Sequence, residues 1–215
     1  MNSSPSGLIV CGTDTDIGKT IVSALLVQGL DAIYWKPIQS GLEHGGDTGQ
    51  VSKLLNLPKE RWIREAYRFH APVSPHWAAE QENQFIDPEK LQLPLVKKTL
   101  VIETAGGLLV PLTRQFLQID QLLSWKLPVL LVAKSGLGTL NHTLLSIEAL
   151  RSRNIPLLGL ILNGPHHADN PKTLEQIGNV QIIGQLPTLM EINAKTLAEE
   201  WEKQNLGPIF KQLLA

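Results

Sequence analysis

Short apolar runs recur along the chain at Leu8–Cys11 (LIVC), Ala32–Trp35 (AIYW), Leu100–Ile102 (LVI), Val129–Ala133 (VLLVA), Leu157–Leu162 (LLGLIL) and Val180–Ile183 (VQII). Most are unbroken and rich in Val, Ile and Leu, without polar alternation. Strands buried on both faces read this way, and such strands belong to parallel sheets covered by helices. Between them the period changes to that of a helix. Thr20–Gln28 (TIVSALLVQ) is apolar nearly all round and stops at Gly29, which reads as a C-terminal cap. Leu140, Leu144, Ile147 and Leu150 share one helical face, with Ser146, Glu148 and Arg151 off it. Phe116, Leu117, Ile119, Leu122 and Leu123 suggest a further helix.

Strands alternating with helices predict an α/β fold: a doubly wound, mostly parallel sheet with helices on both faces. In such sheets ligands bind at the carboxyl ends of the strands. The stretch from Glu60 to Lys98 is the least regular and holds Pro72, Pro75, Pro88 and Pro94. It reads as an insertion of loops and short helices beside the active site, the alternative being a surface excursion without a role. No repeat or linker divides the chain, so residues 1–215 are expected to form one domain.

Composition narrows the function classes. Nineteen Lys and Arg against 20 Asp and Glu give a formal net charge of -1, without the basic footprint of a nucleic-acid binder. A single cysteine, Cys11, excludes an intrachain disulfide and a multi-cysteine zinc site, and fits a reducing compartment. Met1–Gly7 lacks the basic and apolar regions of a signal peptide. The densest apolar stretch, Leu127–Ala133, is far shorter than the roughly 20 residues that cross a bilayer. A cytoplasmic protein with no membrane or nucleic-acid partner is expected.

The strongest chemical signal follows the first strand: Gly12-Thr13-Asp14-Thr15-Asp16-Ile17-Gly18-Lys19-Thr20, running into a helix. A phosphate loop needs inward backbone N–H groups, a helix N-terminus, a lysine for the β and γ oxygens and a hydroxyl for magnesium. Gly18, Lys19 and Thr20 supply the end of that pattern. Its first glycine belongs at the position of Thr13, and Gly12 comes one residue early. The loop also carries Asp14 and Asp16, which repel a triphosphate unless a metal or a cationic amine intervenes.

Lys36-Pro37-Ile38-Gln39-Ser40-Gly41 places a lysine at the end of the second strand, beside the phosphate loop if the two strands are neighbours. A fixed lysine there could stabilise an anion during phosphoryl transfer. In Gly45-Gly46-Asp47-Thr48, Asp47 could cap the next helix or hold magnesium, and spacing alone favours the cap. Glu103-Thr104-Ala105-Gly106-Gly107 ends a buried strand in a carboxylate followed by small residues, as nucleotide-binding proteins present an acidic magnesium ligand. Thr20, Asp47 and Glu103 form a chemically sensible oxygen set for Mg2+. The histidines show no metal-ligand spacing: His166-His167 reads as a solvated turn, and His76 and His142 as structural.

With these motifs in order, the chain resembles the dethiobiotin synthetases. Pro72-Val73-Ser74-Pro75-His76 and Gly138-Thr139-Leu140-Asn141-His142 also look like segments of that family, and the likeness extends to Leu186-Pro187. The shifted phosphate loop is the family's own form. The resemblance implies a homodimeric, P-loop NTPase-like enzyme that joins 7,8-diaminononanoate and CO2 at the expense of ATP, with Mg2+. It implies ATP contacts from Asp16, Ile17, Gly18, Lys19, Thr20 and Ile21, with Thr20, Asp47 and Glu103 holding the metal. Lys36 becomes the active-site lysine near the carbamate and the transferred phosphate. Thr104, Ala105 and Gly106 join the nucleotide site, Asn163 and Gly164 read the base, and Pro187, Thr188 and Leu189 form a loop near the nucleoside. Thr15 and Ser40 match positions that contact phosphate or substrate. Gly138, Thr139, Leu140 and Asn141 match a helix start that receives the substrate carboxylate at the subunit interface.

One departure is Thr104, where many relatives carry glycine; a β-branched residue resists the positive φ that glycine permits. Two other classes compare less well. Amidating synthetases of cobalamin synthesis carry a glutaminase domain with a nucleophilic cysteine. Partitioning-type ATPase switches have a lysine early in the loop, where Asp14 stands here.

Overall fold

The computed structural model describes residues 6–42 and 45–215; residues 1–5, and with them most of the Met1–Gly7 stretch read above, lie outside the described residues. Among the described residues seven strands form one sheet in the order β4-β2-β6-β1-β7-β8-β9, and every pairing in it is parallel. These are β1 (Gly7–Gly12), β2 (Ile33–Trp35), β4 (Trp62–Ile63), β6 (Leu100–Gly107), β7 (Val129–Lys134), β8 (Leu157–Asn163) and β9 (Ile182–Leu186). The apolar runs become these strands because helices cover both faces. On one face lie α1 (Lys19–Gly29), α2 (Gly46–Leu54), α7 (Ala194–Lys203) and α8 (Leu206–Leu213), contributing Leu25, Val51, Leu197 and Phe210 to a core over Leu8 and Val10. On the other lie α3 (Pro75–Gln81), α4 (Gln118–Trp125), α5 (Thr139–Arg151) and α6 (Asn170–Gly178), with Ala78, Ile119, Ile147 and Leu174 packed over Ile9 and Ile102.

Several expectations shift. The segment 60–98 is not only loops and short helices: β4 extends the main sheet, and β5 (Tyr67–Phe69) pairs with β3 (Ile38–Ser40) in a second, two-stranded sheet. Two or three residues are too few to show a period, which hid both strands from sequence reading. Phe116 and Leu117 precede α4; the Asp120 carboxylate accepts from Leu117 N at 2.9 Å and fixes its start.

Gly29 is not a left-handed cap. It closes α1 in helical conformation, and a Cβ there would come 2.3 Å from the Trp201 ring. That ring stacks on Phe210 at 5.7 Å, so the glycine is demanded by close packing of α7 on the end of α1.

The strand order also corrects one geometric expectation. β2 is not the neighbour of β1, because β6 lies between them. This inserts Glu103 between the lysine of the second strand and the phosphate loop. No helix among the described residues is long and apolar enough to cross a membrane.

Candidate active site

The phosphate loop leaves β1 at Gly12 and enters α1 through Gly18, whose φ of 93° is left-handed. Asp16 is also left-handed at φ 54°, a conformation its short polar side chain tolerates better than most. The early glycine has a steric reason. A Cβ on Gly12 would meet Asp14 O at 2.8 Å and Lys19 Cδ at 2.9 Å, so the lysine passes where a side chain would stand. Lys19 Nζ then donates to Asp14 O at 2.7 Å, folded back on its own loop.

Beside it, the ends of β2 and β6 assemble a compact charged cluster. Lys36 Nζ lies 2.6 Å from Asp47 Oδ2 and 3.1 Å from Glu103 Oε1, and donates to Thr104 O at 3.1 Å. Thr20 Oγ1 donates to the same Glu103 oxygen at 2.9 Å. Asp47 sits in the first turn of α2 and caps nothing with its side chain; the cap position is Gly45. Its place is fixed instead by Gln39, whose Oε1 accepts from Asp47 N at 2.9 Å. Lys36 and Glu103 are 4% and 1% exposed, and with Lys19 and the partly exposed Asp47 they bring two positive and two negative charges together, which cancel.

That proximity sets the ionisation. Burial pushes Lys19 down, the neighbouring Lys36 charge pushes it further, and the carboxylates only partly offset this. Burial would also lower Lys36, yet Glu103 and Asp47 outweigh it and leave its pKa above the ordinary lysine value. Burial would raise the Asp47 carboxyl; the Lys36 ammonium outweighs it and holds the group below the usual carboxylate range. At neutral pH the lysine is therefore an ammonium and Asp47 a carboxylate.

A cavity of about 430 Å3 opens above the cluster, lined by Thr15, Asp16, Lys19, Thr20, Lys36, Ser40, Asp47, Glu103, Ala105 and Gly106, and closed on one side by Pro72–Pro75. The irregular segment thus does border the site. The Ser40 hydroxyl is buried without a hydrogen-bond partner among the described residues. Thr20, Asp47 and Glu103 are hard oxygen donors that line one cavity, a set whose chemistry fits Mg2+. Among the described residues no three His, Cys, Asp or Glu cluster, so phosphate oxygens and water would have to complete the shell of a bound ion.

A curated ATP-dependent dethiobiotin synthetase from Rhodopseudomonas palustris (strain BisA53) is 48% identical over 209 residues, covering 97% of this chain and 98% of the relative. This chain belongs to the dethiobiotin synthetase family. A family model described as an AAA domain matches residues 6–196. Among solved structures, a ParA family ATPase from Chlorobium tepidum TLS superposes with a TM-score of 0.57 at 13% identity, over 99% of both chains. The septum site-determining protein MinD from Pyrococcus horikoshii OT3, complexed with Mg-ADP, superposes with 0.56 at 16% identity, covering 96% of this chain and 93% of that one. These two show the fold of this chain, which is P-loop NTPase-like, and the partitioning-type alternative is met at that level alone.

The structure brings some of the remaining family positions to the loop and leaves others apart. Asn163 ends β8, and its Nδ2 donates to Ile17 O at 2.9 Å, directly behind the phosphate loop. Gly164, at φ 125°, and Pro187 line a separate cavity with His166 and Lys203. Thr188 is exposed, whereas Leu189 and Ile21 pack on the α1 side of the core. Gly138 and Asn141 are exposed at the start of α5, while the Thr139 hydroxyl turns inward to Thr143 Oγ1 at 3.2 Å. Further along α5, His142, Leu145 and Ser146 face Asp14 and Thr15 across a second groove. Thr104 causes no strain: it stays in β6, its Oγ1 donating to Val10 O at 3.2 Å, and the left-handed residue of that loop is Gly106 at φ 63°.

Three polar side chains of the site were not singled out from sequence. Besides Gln39, these are Gln118 and Tyr34. Gln118 brackets the turn after Glu103, accepting from Ala105 N at 3.1 Å and donating to Ala105 O and Gly107 O at 3.0 Å. Tyr34 donates to Glu103 Oε2 at 2.9 Å. Gln39 stands inside a quoted motif and was legible there; Gln118 and Tyr34 sit in apolar stretches that signal only core.

Proposed function

We propose that this chain, acting as one domain, forms dethiobiotin from 7,8-diaminononanoate and CO2, converting ATP to ADP and phosphate with Mg2+ as cofactor. What supports it most directly is the Lys36 ammonium held between Asp47 and Glu103, within reach of the cavity that Lys19 and Thr20 also line. One amine of the diamine attacks CO2 and loses a proton, giving a carbamate. A carbamate oxygen then attacks the γ-phosphorus, and the bond to ADP breaks. The second amine attacks the carbonyl carbon of this mixed anhydride, phosphate leaves, and a further proton is released as the cyclic urea closes.

Each step builds or moves negative charge. Preorganised cations in a water-poor site stabilise such charge far better than water does. Lys19 and the loop N–H groups hold the phosphates; Lys36 holds the carbamate and the transferred phosphoryl group. Thr20, Asp47 and Glu103 would hold Mg2+, which supplies charge neutralisation of the triphosphate. Asp16 is exposed at the cavity and Asp14 at the adjoining second groove, and both favour a cationic diamine. Asn163 and Gly164, with the Pro187–Leu189 loop, receive the nucleoside. A homodimer is consistent with Leu109 and Leu145, which line the second groove and are 53% and 57% exposed, and with Leu137, fully exposed just before α5. A partner's Gly138–Asn141 segment would then supply carboxylate contacts. A cytoplasmic location suits this chemistry and the unpaired Cys11.

The test is phosphate release from ATP by the purified protein. Release is expected only when diaminononanoate, bicarbonate and Mg2+ are all present. Release indifferent to the diamine would sink the assignment.

A further inference from the structure

Tyr34 occupies the middle of β2, where an apolar side chain would satisfy the core around it. It belongs to the same buried core as Val10, Val22 and Val51, and the residue is fully buried. A buried hydroxyl is costly unless it is hydrogen-bonded. Here it has one acceptor, Glu103 Oε2 at 2.9 Å. The other oxygen of that carboxylate, Oε1, takes both Thr20 Oγ1 and Lys36 Nζ. The two oxygens are thus divided: Oε2 is tied back into the core by Tyr34, and Oε1 is turned toward Thr20 and the cavity. Tyr34 itself does not line that cavity. It can act on anything bound there only through Glu103.

We propose that Tyr34 is a positioning residue for the metal site, fixing the plane of the Glu103 carboxylate so that Oε1 faces a divalent cation. The inference rests on the proposed role of Glu103 as a metal ligand. Partners in the outer shell of a metal site typically change affinity 10–100-fold when removed. A phenol donor that cannot itself ligate from its place in the core is such a partner. Tyr34→Phe keeps the ring and its packing and removes only the donor.

The experiment measures Mn2+ binding to the ADP complex by electron paramagnetic resonance, in the wild type, Tyr34→Phe and Glu103→Gln. Tyr34→Phe is expected to weaken Mn2+ about 10-fold while leaving metal-free ADP affinity unchanged. Glu103→Gln should weaken Mn2+ at least as much, and Tyr34→Phe added to it should have no further effect. Equal Mn2+ affinity in the wild type and Tyr34→Phe overturns the positioning role. If Glu103→Gln binds Mn2+ as the wild type does, Glu103 is no ligand, and the functional reading underneath fails instead. Should Tyr34→Phe not fold, the wild type provides the test. It has two tyrosines, so carbon-13 labelling at tyrosine Cζ gives two signals, assigned with Tyr67→Phe. The Tyr34 signal should move when Mg2+ is added to the ADP complex; a signal that stays fixed overturns the proposal.

Discussion

Replacing Lys36 with methionine removes the cation that holds two buried carboxylates together and keeps most of the side-chain volume. Asp47 Oδ2 and Glu103 Oε1, now 2.6 and 3.1 Å from the ammonium, would lose it at once. Taking one partner from a buried pair costs about 3–5 kcal/mol. Asp47 retains 21% exposure and borders the cavity, so water can reach it, and the lower end of about 3 kcal/mol applies. For a chain of this size that lowers the melting midpoint by roughly 6–12 °C. The pH dependence is the sharper signature. The Asp47 pKa is depressed in the folded wild type, so its stabilisation is complete above the unfolded value of about 3.9 and is lost as pH falls through the folded value. The Lys36 pKa is raised, so its stabilisation is complete below about 10.4 and is lost only as pH rises through the folded value. Urea denaturation of the wild type and Lys36→Met should show the full stability gap between about pH 5 and 9. The gap should narrow as pH falls below about 4, where the folded wild type loses the contribution of its depressed Asp47 carboxyl. A neutral-pH gap under about 1 kcal/mol, the size of a surface pair, or a gap unchanged in acid, would refute the electrostatic account of the cluster.

Two further predictions concern parts of the fold away from the charged cluster. Gly29→Ala raises intrinsic helix propensity by about 1 kcal/mol, yet drives a Cβ to 2.3 Å from Trp201; a net loss of about 1–3 kcal/mol is expected from overpacking, read by thermal melting with diamine-dependent phosphate release unchanged at 25 °C, and a rise in melting temperature would refute the contact. Burial pushes the Cys11 thiol up to about 12, so a chromogenic disulfide reagent at pH 8 should leave the folded protein unlabelled and react with one thiol per chain in urea; prompt labelling without urea would show that β1 opens.

Much of the site was legible because its signals are local. Gly18, Lys19 and Thr20 adjoin in sequence as they do in space, and Glu103 ends the strand that its apolar run predicts. What was not legible depends on strand order. Nothing in Ala32–Trp35 or Leu100–Ile102 says that β6 slips between β2 and β1, and only that order puts Glu103 within reach of Lys36, Thr20 and Tyr34. The Thr104 position looked like a conflict because the glycine of relatives suggested a positive φ, whereas the turn is made two residues later at Gly106. Gly29 was misread for a related reason: a glycine after an apolar helix suggests a cap, and the indole that occupies its space comes from a distant helix. Asp47 kept two readings open because helix entry and cluster membership place a carboxylate at the same position.

The Gly29 contact bears on the order in which the protein can be completed as it is synthesised. The helix that carries Lys19 and Thr20 is made long before α7, and the described strands of the main sheet have been made once Leu186 is added. The indole filling the notch at the far end of α1 belongs to Trp201, and Phe210, on which it stacks, comes later still. A growing chain can therefore possess its whole sheet and its entire phosphate loop while one end of the loop's helix still lacks its plug. The nucleotide-binding element is finished from behind, by residues that emerge only after the strands.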